Sequence, residues 1–149
     1  MKKLRRAIMS DENKRNEFIE DCMRLVDSAV MAQTGIRGFA LKNAYKMGLK
    51  SHPTIIRDAF EIVVDDFIAR LEPYYAQYRK QSHAQTFGEY LEQRDHEVAA
   101  ALLEITDAKA REVNSPTIVG FYHALRPQAQ KHVASVAHSI GALVERHVH

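Results

Sequence analysis

Apolar residues recur along this chain at intervals of three and four, and no stretch sustains the alternation of a strand. The clearest stripe is Ile56, Phe60, Val63, Val64, Phe67 and Leu71, which falls on one face of a helix. Ile55, Ala59 and Ile62 widen that face, so this helix is expected to lie centrally, with Phe60, Val64 and Phe67 buried. Pro73 should break or kink it. Before it, a helix opens with Ser10 as N-cap, buries Phe18, Cys22, Leu25, Val26 and Ala29, and stops at Thr34-Gly35. Another begins near Arg37 or Gly38 with Leu41, Ala44, Tyr45 and Gly48 inward. Ser51-His52-Pro53 ends it, with Pro53 suited to the first turn of the next helix.

Beyond the central helix, Thr86 and Glu89 have the spacing of a capping box for a short helix. Asp95 can cap a helix that buries Val98, Ala101, Leu102 and Ile105. Ser115-Pro116 starts one with Ile118, Val119, Tyr122 and Leu125 inward, and Arg126-Pro127 forces a bend. A last helix buries Val133, Val136, Ala137, Ile140 and Val144. The pattern predicts an all-α fold of about six to seven helices, bundle-like or orthogonal. It spans residues 1–149 as a single domain, with 1–9 a loosely ordered basic segment.

Composition narrows the class without naming a chemistry. Hydrophobic residues are 46% and charged residues 27% of the chain, which argues against disorder. The longest apolar run, Val98 to Leu103, is too short to span a bilayer. Lys2, Lys3, Arg5 and Arg6 imitate the basic end of an export signal, but Ser10-Asp11-Glu12 follows Ala7-Ile8-Met9 at once, so a cytoplasmic location is expected. Cys22 is the only cysteine, placed in an apolar stripe and expected to be a buried, inert thiol.

Charge is uneven. Residues 37–50 carry Arg37, Lys42, Lys46 and Lys50 and no acid, whereas residues 58–72 carry Asp58, Glu61, Asp65, Asp66 and Glu72 against Arg70. The two segments could attract each other or an outside partner. The run Gly35-Ile36-Arg37-Gly38, followed by Lys42, Tyr45 and Lys46, resembles a block in a family of small bacterial proteins of unknown function. The resemblance extends to Leu25-Val26-Asp27, to the stretch from Ala101 to Ala108, and to Gly141-Ala142-Leu143-Val144-Glu145. It implies a bacterial, single-domain helical protein and carries over no activity and no functional residue.

The candidate site is anion binding by Gly35, Arg37, Gly38, Lys42 and Lys46. Amides at a helix start attract anions, Arg37 can clamp a phosphate, and the lysines follow one face. A tight turn and a solvated basic face paired with the acids of 58–72 explains the same residues. The acidic edge of Asp58, Glu61, Asp65 and Glu72 lacks the Glu-x-x-His pairs of di-iron bundles. None of the eight histidines stands three or four from another on a helix. His147 and His149 read as a frayed terminus. Tyr74, Tyr75 and Tyr78 suit a helix end packed on the core with hydroxyls outward. No catalytic residue, metal or cofactor is assigned. The leading reading is an interaction or scaffold protein, with a homodimer as one form. A binding module for a phosphate-bearing ligand or nucleic acid comes next, and an enzyme third.

Overall fold

The computed structural model describes residues 2–81 and 84–149, and these form helices with no strand. In chain order they are α1 (Lys3–Ile8), α2 (Glu12–Met31), α3 (Gly35–Ser51), α4 (Ile55–Lys80), α5 (Phe87–Glu92) and α6 (Asp95–Ala110). Then come α7 (Pro116–Leu125), a 3-10 turn (Arg126–Gln128), α8 (Ala129–Ser135) and α9 (Ala137–Val148). The all-α expectation holds, but the described helices outnumber the about seven that the pattern predicts.

One reason is α1. The segment expected to be loose instead has Leu4 and Ile8 fully buried. The Glu72 carboxylate of α4 accepts hydrogen bonds from Leu4 N at 3.0 Å and Arg5 N at 2.9 Å. It thus satisfies two donors that a first turn leaves open, at the positive end of the helix dipole. Six residues are too few to display a stripe, and the cap comes from elsewhere in the chain. The second reason is a division at Val136, where one long helix was expected. The Ser135 hydroxyl donates to the His132 carbonyl there, offering the backbone an alternative partner.

Other ends follow local chemistry. Asp11, not Ser10, caps α2 by accepting from Lys14 N. The Thr86–Glu89 capping box forms, and Ser115 caps α7 with Pro116 in its first turn. Pro53 lies before α4, outside its first turn. Arg126-Pro127 ends α7 in the 3-10 turn. Pro73 does not end α4. Proline leaves the residue-69 carbonyl without its helical donor, but Ala69 and Pro73 are both exposed, where water can serve it. Leu71 and Tyr75, buried on the opposite face, hold the helix through that point.

α4 is the hub, packed against α1, α2, α3, α5 and α6. One hydrophobic cluster joins Leu4, Ile19, Val64, Tyr75, Phe87, Val98 and Val144; a second joins Val30, Tyr45, Ile55 and Ile56. Met23 and Phe60 touch both. α5 and α9 approach backbone to backbone through Gly88 and Gly141: a Cβ on Gly141 would lie 2.6 Å from the Gly88 Cα. Among the described residues no helix is long and apolar enough to cross a membrane.

Candidate ligand cavity

The inward faces of six helices do not close on one another. They surround a hollow of about 350 Å³, walled by Cys22, Leu25 and Val26 of α2 and by Ile56, Ala59, Phe60 and Phe67 of α4. Leu102, Thr106 and Ala110 come from α6, and Ile118, Phe121, Tyr122 and Leu125 from α7. His132 and Val133 of α8 and Ile140 of α9 complete it, together with Val136 between them. The stripes named from periodicity are therefore inward-facing, but many of their members meet a cavity instead of a neighbour. Val64 is fully buried as expected, whereas Phe60 and Phe67 are only partly buried. α7 has no buried residue, because its whole apolar face is turned to the hollow and to α3.

Few polar groups reach this wall, and most are committed. The Tyr122 hydroxyl donates to Asp107 and lies 2.6 Å from the Thr106 hydroxyl. Asp107 also accepts two bonds from Arg126, from Nε at 2.9 Å and Nη2 at 3.0 Å. The Arg126 guanidinium holds the Asp107 carboxyl below the usual carboxylate range against the opposing effect of burial. Lys109 pairs with Asp66 at 3.2 Å. His132 lies 3.2 Å from the Gln128 amide oxygen, and burial, then the charge of Lys131, lowers its pKa below 6.5. A neutral imidazole therefore faces the apolar wall at neutral pH. Burial, with Asp21 adding to it, pushes the Cys22 thiol up to about 12, although the side chain borders the hollow and is partly buried where full burial was expected.

The proposed anion residues lie on α3. Gly35 has φ +78°, the left-handed conformation that the turn out of α2 requires, and a Cβ on Gly38 would lie 2.8 Å from the Gln33 carbonyl carbon. The turn thus accounts for both glycines. Arg37 and Lys46 are exposed and Lys42 is half-buried, with Arg37 on the opposite flank of the helix from the two lysines. None of the three forms an ion pair among the described residues. The acids of α4 are taken by other groups. Arg15 binds Glu61 at 2.6 Å and Asp65 at 3.0 Å, and His52 meets Asp58 at 2.7 Å.

The remaining candidates resolve into packing. Tyr75 is buried, the Tyr74 hydroxyl donates to Glu97, and Tyr78 donates to Glu145 and to the Gln85 carbonyl. His147 is not frayed: it meets Asp21 at 2.6 Å and stands edge-on to Phe18. His83 lies outside the described residues. Among those described, no three histidine, cysteine or acidic side chains are gathered as metal ligands.

The cavity is what sequence reasoning missed. Periodicity identifies which face turns inward, but carries no signal for whether opposing faces touch. No curated protein and no solved structure matches the chain. A family model does match, over residues 5–148, and the chain belongs to that family, described as a family of unknown function (DUF6918).

Proposed function

We propose that this protein binds an apolar small molecule in the hollow bounded by α2, α4, α6, α7, α8 and α9. The observation that carries the reading is an almost wholly apolar cavity of about 350 Å³ in a chain of 149 residues. Protein interiors ordinarily leave few voids larger than a water molecule. Water would find few partners on these walls, whereas an apolar occupant would regain the lost contacts.

The walls also describe the ligand. The volume suits about a dozen methylene-sized groups, taking ~30 Å³ for each. Lys109 and Arg126 are bound to acids, and Asp107 lies behind Tyr122. A carboxylate would meet no unpaired cation on the wall, so the polar end of the ligand is uncharged, a hydroxyl or carbonyl beside Thr106, Tyr122 and His132. A concave wall contributed by six helices favours this reading over the flat apolar patch of a scaffold protein.

The test is displacement of an environment-sensitive apolar dye by medium-chain alcohols and by the matching carboxylates. Native protein should take up the dye, with alcohols displacing it better than carboxylates. Ala59→Phe, which fills the hollow, should abolish uptake while circular dichroism stays helical. Folded native protein that takes up neither dye nor alcohol would sink the proposal. Association into dimers that excludes the dye would replace it with the interaction reading.

A further inference from the structure

α3 carries apolar residues on two opposite faces, and only one of them is covered. Gly38 and Tyr45 are buried, with Leu41 and Leu49 packed against the core cluster around Tyr45. On the other side Ile36 is 91%, Phe39 71% and Met47 60% exposed, three of the four large hydrophobic side chains that stand out among the described residues. Helical spacing places Ile36, Phe39, Ala40 and Met47 along one exposed ridge. Lys46 and Lys50 adjoin it, Lys42 continues their row at its edge, and Arg37 stands on the far flank. No acid occurs between Asp27 and Asp58, and none of these four cations is ion-paired among the described residues.

From this arrangement we infer that the outer face of α3 docks the protein on an anionic lipid surface. An apolar ridge flanked by cations is the pattern of a helix that lies in the plane of a bilayer interface. Its side chains enter the headgroup boundary while its charges meet anionic headgroups. Each half of the pattern excludes another occupant. A nucleic acid would use the lysines but would gain little from a bulky ridge standing in front of them. A second copy of the chain would cover the ridge, but a two-fold contact would bring four positive charges against four more. An anionic bilayer matches both the ridge and the charge. The inference stands on α3 alone and does not depend on what the cavity binds. Phe121 connects the two regions, since its ring packs against Gly48 on the inner side of α3 and lines the cavity.

The experiment is co-sedimentation of the full chain with phosphatidylcholine vesicles, with and without phosphatidylglycerol, over a salt series. The protein should pellet with the anionic vesicles, remain in solution with phosphatidylcholine alone, and be released by salt. Replacing each lysine in turn, Lys42→Gln, Lys46→Gln and Lys50→Gln, should weaken partition about fivefold apiece. The pair Ile36→Ser and Phe39→Ser should also abolish pelleting, although it leaves the charge unchanged. Of these side chains only Lys42 is half-buried and the rest are exposed, and circular dichroism should show the variants folded. Dye uptake by the cavity should be unchanged in them, so failure of lipid docking and failure of the cavity proposal are separately visible. No pelleting with anionic vesicles at low salt would overturn the inference. So would pelleting that survives the serine pair, or self-association that the serine pair disrupts.

Discussion

Phe60 and Leu91 are both large apolar residues turned inward, yet truncating them should have different costs. Leu91 is fully buried among close neighbours, so Leu91→Ala should destabilise by about 2–5 kcal/mol in denaturant unfolding. Phe60 borders the cavity, so Phe60→Ala removes fewer contacts and should cost less than the ~3 kcal/mol lower bound usual for an aromatic core site. It should also admit larger alcohols in the displacement assay. His132 gives the site a pH dependence. Its pKa lies below 6.5 in the folded protein, so it stays neutral until pH falls through that lower value, and protonation then places a charge on an apolar wall. Alcohol affinity should be level from about pH 8 to 6.5 and decline below, whereas His132→Gln should remove the decline. The unfolded chain takes up this proton first, so His132 also lowers stability as pH falls through 6.5. The inward position of Phe60 is legible from spacing. Its exposure to a hollow, and that of His132, is not, because it depends on the distance between helices that are remote in sequence.

Helices with local end signals are the ones a reader of sequence can place. Thr86-x-x-Glu89 and Ser115-Pro116 form as their chemistry requires, since the partners lie within one turn. α1 is missed because its cap is Glu72, and the exposed apolar ridge of α3 goes unnamed because Ile36, Phe39 and Met47 fall outside the inward set of Leu41, Ala44, Tyr45 and Gly48 and spacing does not show what an outer face meets. Close packing of α5 on α9 has a similar non-local origin. Gly141→Ala should gain up to ~1 kcal/mol in helix propensity. It must also push backbone from backbone, so a net loss of about 1–3 kcal/mol is expected by thermal or denaturant unfolding. α7 is held differently, by Tyr122 and Arg126 on Asp107 and by Phe121 on α3. Asp107→Asn should cost only about 1 kcal/mol, because the ion pair is partly solvated. Bound dye should nevertheless leave faster in stopped-flow measurements, since the helix covering the cavity loses its charged tether.

At the scale of the whole molecule, occupancy of the cavity should appear as stability. A ligand at a hundred times its dissociation constant adds about 2.7 kcal/mol. In a chain of this length that raises Tm by about 5–10 °C, and the Ala59→Phe variant should show no such rise. The placement of α1 has a different consequence, for the order in which the chain is built. α1 comes before its partners in the chain, but six residues cannot hold a helix alone. Its cap lies 68 positions downstream, and α9, against which it also packs, lies further downstream still. α1 should therefore dock late, after the elements that cap and cover it. In pulse-labelled hydrogen exchange during refolding, the amide of Ile8 should gain protection after that of Val64. Glu72→Ala should accelerate unfolding while leaving the main refolding phase nearly unchanged. A nascent chain would then keep the basic segment around Arg5 available to solvent until α9 has formed.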